Sequence, residues 1–534
     1  MHIMKLLIIV IINFTITVIS AQENPNILLI IADDMGADVM PGYGIGTNLP
    51  NTPNLDKLSQ SGLTFTNVWA TPVCASTRAS IMTGKYGVNN GVTSVPGILS
   101  TDHTSIFKQI KQQTNNDYAT CLVGKWHLGE TKDYGHPFEH GVDEFMGVLE
   151  SGVTDYYEWN KVENQNPTIC YEYATAYFTN YAIDWINEQS KPWLMWLAHV
   201  SPHTPFHYPP EGTYTKDKEG TAAMKKYLSM IENLDYEIGR LLDSIPNEVL
   251  ENTIVIFVGD NGTPGNLVQG YNHGKGTLYQ GGIHVPMIIS GKGVSRKNDT
   301  ENAHINICDL FATMAHFSND LIGNKGGMYN SLSFKHLLSN TEGYTRQHNY
   351  MELGKKAGFP NDAFTIRNDQ YKMIQFIDSI QEFYDLVDDP FETKNLLQGT
   401  ISSSQQVVLN NLEKEANVIR TGWSCQDGIQ NGEETSIDSG SDCNSTYISE
   451  LTYDNEMIVY PSPFDSQITI VFKDYKKISK VQLINSVGQV VENIPEVTNN
   501  NITIITKNYN PGLYFISAIR QGGIKVFFSK IIKK

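Results

Sequence analysis

The chain has 534 residues, 40% hydrophobic and 18% charged, which is long enough for more than one domain and too apolar for a disordered polymer. Its net charge of −18 excludes a general nucleic-acid binder. Six cysteines are too few for a disulfide-built scaffold.

Residues 1–21 open Met-His-Ile-Met-Lys, run apolar from Leu6 to Ile19 and end on Ser20 and Ala21. A basic start, a short apolar centre and a small-residue exit read as a secretory signal peptide. No later stretch is apolar and long enough for a stable membrane span. From Asn26 to about Gly422, apolar strands alternate with amphipathic helices. Strands are predicted at Ile27–Ala32, Thr64–Trp69, Ala119–Gly124, Trp193–Ala198, Ile254–Gly259 and Val285–Ser290. Helices are predicted at Pro53–Ser61, Tyr173–Gln189, Ala222–Ser244 and Asn306–His316. Continuous apolar strands separated by helices predict an α/β domain over residues 22–422, with a central, mostly parallel sheet covered on both faces. Ligands in such folds collect at the carboxyl ends of the strands. Phe364–Asp385 alternates like a small antiparallel sheet and Ser402–Arg420 reads as a closing helix, so a subdomain is expected from about residue 345 to 422. Cys121, Cys170 and Cys308 lie in apolar contexts and read as core residues.

Residues 423–455 form a polar linker in which Cys425 and Cys443 bracket a Gly/Asp/Ser-rich loop. In an exported chain these two are expected to pair as a disulfide. Residues 456–534 reverse the charge balance, with ten Lys/Arg against five Asp/Glu. Short alternating strands at Gln467–Phe472, Val481–Leu483, Ile502–Ile505, Leu513–Ala518 and Ile524–Phe528 predict an appended β-sandwich.

The residues that can carry chemistry follow predicted strands or open a helix. Asp33 and Asp34 close the first strand, and Asp260 and Asn261 close another. Four hard oxygen donors with no thiolate or imidazole in either motif suit Ca²⁺, suit Mg²⁺ less well and do not favour Zn²⁺. Cys74 and Arg78 stand one helical turn apart in Cys-Ala-Ser-Thr-Arg, so both can face one pocket. Lys125 and His127 lie in Lys-Trp-His-Leu-Gly, His203 in Pro-His-Thr-Pro and Lys275 in Gly-Lys-Gly-Thr. Singly, these are ordinary surface or core side chains. Together they set three kinds of cation around one anion-sized cavity.

The order of these motifs, Asp-Asp, Cys-x-x-x-Arg, Lys-Trp-His-Leu-Gly, Pro-His-Thr-Pro, Gly-Asp-Asn-Gly and Gly-Lys-Gly-Thr-Leu-Tyr, resembles the formylglycine-dependent sulfatase family over residues 25–397. The resemblance implies an alkaline-phosphatase-like α/β sandwich. It implies that a maturation enzyme oxidises Cys74 to formylglycine, and that Asp33, Asp34, Asp260 and Asn261 ligate Ca²⁺ with modified Cys74. Arg78 would hold the formylglycine hydrate, and Lys125, His127, His203 and Lys275 would line the sulfate pocket. His199 is not carried over, because Pro-His-Thr-Pro selects His203. One hydroxyl of the hydrate would attack sulfur, His203 or Lys275 would protonate the leaving alcohol, and the second hydroxyl would expel sulfate. Three positions depart from the family pattern. Ser76 stands where Pro or Ala is usual, and Gln280 and His284 stand where Glu and Arg are common, at the expected rim of the pocket.

The tail motifs Val-Tyr-Pro-Ser-Pro-Phe, Ile-Asn-Ser-Val-Gly-Gln-Val and Pro-Gly-Leu-Tyr-Phe-Ile resemble a C-terminal sorting domain read by type IX secretion machinery. That implies a secreted or cell-surface enzyme and a sulfated carbohydrate substrate met outside the cell. The cluster Asp155-Tyr156-Tyr157-Glu158-Trp159 offers rings for stacking on sugars. Two alternatives stand beside a sulfatase: a phosphate or phosphonate ester hydrolase of the same superfamily, and an inactive carbohydrate-binding surface protein. One Asp/Asn metal set without a second His-rich cluster favours sulfate.

Overall fold

The computed structural model describes residues 24–319, 327–341, 345–354, 363–376 and 381–420, with further strand segments between 434 and 533. The expected signal peptide and the Cys425–Cys443 pair lie outside the described residues. The chain divides into two units, Met1–Gly440 and Ser441–Lys534.

In the first unit, β1 (Asn26–Ala32) shows why the sequence reads as unbroken apolar residues. Ile27, Leu29 and Ile31 enter one core cluster, and Leu28, Ile30 and Ala32 enter the other. Side chains alternate across a strand, so a strand covered on both faces needs apolar residues at every position. In chain order there follow α1 (Pro53–Ser61), β2 (Gly62–Trp69), α2 (Cys74–Thr83), β3 (Ala119–Lys125) and β4 (Glu144–Val148). Next come β5 (Trp159–Glu163), β6 (Asn166–Cys170), α3 (Ala174–Asn187), β7 (Trp193–Ala198) and α4 (Ala222–Ser244). Then come β8 (Thr253–Gly259), β9 (His284–Gly291), β10 (Asp299–Glu301), β11 (Ile305–Asn306) and α5 (Asp309–Ser318). The sheet order is β10-β2-β9-β8-β1-β7-β3-β4-β5-β6, with β11 also on β2.

The central strands β8, β1, β7, β3 and β4 are all parallel, so their carboxyl ends share one edge. Towards both ends the sheet departs from the expected parallel pattern. β9 is antiparallel to β8 and β2, and β4, β5 and β6 pair antiparallel. Strand direction follows the connection, and burial alone dictates the same apolar run for either direction. α1 starts with Pro53 at its first turn, and Asp235 of α4 accepts from Leu55 N at 2.7 Å and Asn54 N at 3.1 Å. The helix N-terminus is thus capped from across the fold.

The subdomain is a four-stranded antiparallel sheet, β12 (Asn349–Leu353), β13 (Ala363–Arg367), β14 (Tyr371–Phe376) and β15 (Gln381–Asp385), closed by α6 (Ser403–Arg420). Its core, with Tyr350, Ile366, Met373, Phe383, Leu409 and Leu412, also takes in Cys308. Cys121, Cys170 and Cys308 are buried free thiols, as their contexts predict.

The second unit is a β-sandwich. One antiparallel sheet holds Met457–Tyr460, Gln467–Phe472 and Asn501–Ile505, and the other holds Val490–Ile494, Ile478–Asn485, Gly512–Arg520 and Lys525–Lys533. Both sheets feed one core of Ile468, Ile470, Phe472, Val481, Leu483, Ile504 and Ile516. No described helix is long and apolar enough to cross a membrane.

Candidate functional site

Four strands deliver their next residues to the same edge. Ala32 pairs with Gly259, and Ile31 with both Val258 and Ala198, so Asp33 and Asp34 emerge beside Asp260 and Asn261 on one side and His199–His203 on the other. Asp33 N donates to Ser201 O at 3.1 Å and Asp34 N to Asp260 Oδ1 at 3.0 Å. β3 ends on Lys125, and Gly124 before it lies against β7 at φ 101°, where a Cβ would meet Ala198 O at 1.9 Å. Only glycine permits that approach. Asp34 at φ 69° and His127 at φ 57° are left-handed, a strained conformation for such residues that is characteristic of functional sites.

Cys74 is the first residue of α2, every residue of which is buried. Ser76 fits this turn: its hydroxyl donates to Val73 O at 3.0 Å and lies 2.6 Å from Thr71 Oγ1. It therefore satisfies a carbonyl of the preceding turn while leaving Cys74 in place. Arg78, one turn on, donates to Lys125 O at 2.8 Å and to Asp260 Oδ2 at 2.8 Å. Cys74 Sγ is 3.2 Å from His127 Nδ1.

The charges interlock. Lys125 Nζ is 2.5 Å from Asp33 Oδ2, both fully buried, and Lys275 pairs with Asp34. His203 Nε2 is 3.8 Å from Asp34 Oδ2. Burial pushes the Asp34 carboxyl up, but Lys275, then His203, more than offset it and hold it below the ordinary range. Burial raises the Cys74 thiol despite Lys125 and Lys275. Burial, then Lys125 and Arg78, hold the His127 imidazole well below its ordinary value. Burial and the neighbouring Asp33 raise Asp260, against the pull of Arg78.

The donor set fits a hard divalent cation. Asp33 Oδ1 and Asn261 Oδ1 are buried oxygens without a hydrogen-bond partner. Ligand atoms of Asp33, Cys74 and Asp260 lie within 4.8 Å of one another, as do those of Asp33, Asp34 and His203. Three carboxylates face the three fixed cations Arg78, Lys125 and Lys275, so a divalent ion here makes the pocket net positive and suited to an anion.

Lys275 sits on a loop that the C-terminal subdomain grips. Tyr279 OH donates to Glu382 at 2.6 Å, Gln280 N to Glu392 at 2.6 Å and Asn272 Nδ2 to Phe391 O at 3.2 Å. Gln280 and His284, expected at the rim, are instead buried. Gln280 accepts from Trp69 Nε1 at 2.9 Å, and His284 bridges Tyr271 OH at 2.8 Å and Thr66 O at 2.9 Å. His199 is fully buried, and its ring nitrogens have no hydrogen-bond partner among the described residues. Within the aromatic cluster, Tyr156 and Trp159 are core residues and Tyr157 is exposed. Two supporting residues had no signal in the sequence. Tyr227, in mid-helix α4, donates to Asp34 O at 2.6 Å. Asp38 is buried and accepts from Thr263 Oγ1 at 2.7 Å and Gln269 N at 2.9 Å.

Comparison with known proteins places this geometry. Residues 25–319 match the Sulfatase family, residues 270–421 match the C-terminal region of N-sulphoglucosamine sulphohydrolase, and residues 458–534 match the secretion system C-terminal sorting domain. The chain is similar to human N-acetylgalactosamine-6-sulfatase, at 27% identity over 335 residues, covering 55% of this chain and 62% of that protein. It is also similar to the uncharacterized sulfatase YdeN of Escherichia coli, at 28% identity over 344 residues, covering 53% of this chain and 60% of that one. The match thus spans less than two thirds of these relatives' length. Among solved structures, Ps i-CgsB in complex with k-i-k-neocarrahexaose superposes with a TM-score of 0.63 at 24% identity, over 76% of this chain and 94% of that one. The phosphonate monoester hydrolase of Agrobacterium radiobacter gives a TM-score of 0.58 at 19% identity, over 74% of this chain and 96% of that one. At these identities the two structures report the fold alone.

Proposed function

The chain belongs to the sulfatase family, and we propose that it hydrolyses sulfate monoesters of polysaccharides or their oligosaccharides outside the cell. The observation that carries this reading is the gathering around Cys74 of Asp33, Asp34 and Asp260, with unpartnered oxygens on Asp33 and Asn261, and of the cations Arg78, Lys125 and Lys275. Asp33, Asp34, Asp260 and Asn261, with modified Cys74, would hold Ca²⁺, which would supply positive charge against the ester oxygens. Formylglycine at Cys74, made by a maturation enzyme, would supply an oxygen nucleophile that a thiol cannot replace.

The side chains divide the remaining work. Arg78, anchored on Lys125 O and Asp260, fixes the position of the residue-74 side chain. Lys125 and Lys275 face the sulfate oxygens with charge that is already oriented, so little reorganisation is needed at the moment of reaction. His127, whose burial favours the neutral ring, sits against the nucleophile at 3.2 Å and offers it a hydrogen bond. His203 is the acid for the leaving alcohol: Thr204 O occupies its Nδ1 at 2.9 Å and leaves Nε2 towards Asp34. Lys275 is the second candidate for that proton.

Residues 22–422 are the catalytic domain in this reading, 423–455 a tether and 456–534 an export address. The sorting-domain match indicates secretion or display at the cell surface, and residues 1–21 are proposed as the signal peptide that precedes it. Sulfate release from a panel of sulfated oligosaccharides and from 4-nitrophenyl sulfate tests the activity. Release of phosphate from matched phosphate esters, with none of sulfate, overturns it in favour of the phosphate or phosphonate hydrolase.

A further inference from the structure

Beside the pocket stands a group of exposed aromatic rings that the chemistry above does not use. Tyr157 is 44% exposed and Tyr208 is 46% exposed. Ring packing holds them in place. Tyr157 lies 5.0 Å from the buried Tyr173 and 6.0 Å from His207, and its hydroxyl donates to Tyr208 O at 3.3 Å. Tyr208 stacks on Tyr214 at 5.8 Å and 20°. The hydroxyl of Tyr157 is spent within the protein, which fixes the ring while its face stays in water. Large apolar rings fixed at the surface are costly unless something covers them.

The group is coupled to the reacting centre through His203. Tyr156 OH donates to Val200 O at 2.6 Å and to His203 O at 2.7 Å, and the Tyr156 ring packs on His207 at 4.3 Å. The leaving alcohol meets His203, so the sugar it belongs to lies on the His203 side of the pocket. The next ring of a chain therefore extends over residues 204–214, where the tyrosines are. Pyranose rings present faces of C–H groups that stack on aromatic rings, and tyrosine offers such a face at small cost in side-chain entropy.

Charge selects among sugars. Asp155, Glu158 and Glu211 are exposed in the same segments, and Asp155 accepts from Tyr157 N at 2.7 Å. Of the lysines that follow in the chain, Lys216 pairs with Glu211 at 3.0 Å and Lys218 with Glu232 at 2.7 Å, and Lys226 acts on His207. A second sulfate or a uronate beside Tyr157 meets Asp155 and Glu158.

Resting on the sulfatase reading, we propose that Tyr157, Tyr208 and Tyr214 form a stacking platform for the uncharged pyranose ring that neighbours the sulfated sugar. Full-length wild type, Tyr157→Ala and Tyr157→Phe are compared on 4-nitrophenyl sulfate and on sulfated oligosaccharides from carrageenan, chondroitin sulfate and heparin. On oligosaccharides whose sulfated sugar neighbours an uncharged ring, the ratio of kcat/KM to that on the aryl sulfate falls about five- to tenfold in Tyr157→Ala, and Tyr157→Phe restores it, whereas a neighbouring uronate shows a smaller fall. Loss by the same factor on both substrates, or no loss, overturns the platform. Calorimetric binding of the same oligosaccharides separates the two readings. Affinity that Tyr157→Ala weakens, in a protein releasing no sulfate, keeps the platform and overturns the sulfatase. Sulfate release with oligosaccharide affinity untouched by Tyr157→Ala does the reverse. Tighter binding when the neighbouring ring is itself sulfated overturns its assignment to an uncharged sugar.

Discussion

Replacing His203 by alanine separates proton donation from sulfate binding. His203 is one-fifth exposed, its Nδ1 is held by Thr204 O, and Nε2 is left at 3.8 Å from Asp34. A positioned acid contributes about 10²–10⁴ to a step that needs it. A sugar alkoxide is a poor leaving group and depends on that proton, whereas 4-nitrophenolate departs without it. The His203→Ala variant should therefore lose about 10²–10³ in kcat/KM on a sulfated sugar and less than about tenfold on 4-nitrophenyl sulfate. The assay is steady-state sulfate release across a series of aryl and sugar sulfates. Rate should depend more steeply on leaving-group pKa in the variant than in wild type. Equal losses across the series would refute the acid role and make His203 a residue for holding the sulfate.

Removing divalent cations with EGTA should abolish turnover and lower the melting temperature, because Asp33, Asp34 and Asp260 then repel one another. At a calcium concentration of about 100 Kd the lost stabilisation is about 2.7 kcal/mol, read by scanning calorimetry with and without calcium. Asp38, pushed up to about 6 by burial against its hydrogen bonds from Thr263 and Gln269, favours its protonated form in the fold. Its contribution is present below the unfolded carboxyl value near 4 and is lost as pH rises through about 6. The unfolding free energy of Asp38→Asn should therefore gain on that of wild type between pH 4 and 7 by up to about 3 kcal/mol, read by urea unfolding, and a pH-independent difference contradicts this. Lys372 and Glu392 form a fully buried pair at 2.5 Å that also holds the Gln280 turn. Lys372→Met leaves that carboxylate alone and should cost about 3–5 kcal/mol in urea unfolding, most of it recovered by adding Glu392→Gln.

Much of the site was legible because it is written at strand ends. β1 is apolar from Ile27 to Ala32, just before Asp33 and Asp34, and β8 from Ile254 to Val258, just before Gly259, Asp260 and Asn261. Carboxylates that stop a buried strand are conspicuous, and parallel neighbours bring their ends to one edge. Strand direction was less legible. β9 is as buried as the parallel strands of the sheet centre, and nothing in its own residues marks it as antiparallel to β8 and β2. Gln280 and His284 read as rim residues because they stand where the resembled family commonly has Glu and Arg. In space they turn inward onto Trp69, Tyr271 and Thr66, a consequence of the subdomain packing against that loop. Tyr227 was silent: in the middle of an amphipathic helix its hydroxyl carries no sequence signal, and only the packing of α4 under β1 places it on Asp34 O. Packing on Tyr173, His207 and the α3 residues Tyr177 and Phe178 divided the aromatic cluster, taking Tyr156 and Trp159 into the core and leaving Tyr157 outside.

The central claim is that Cys74 acts as formylglycine, and the mass of the peptide containing Cys74, from protein that releases sulfate, tests it most directly. The account predicts a residue that has lost its sulfur and reacts as an aldehyde with a hydrazide. An intact thiol at Cys74 throughout a fully active preparation would contradict it.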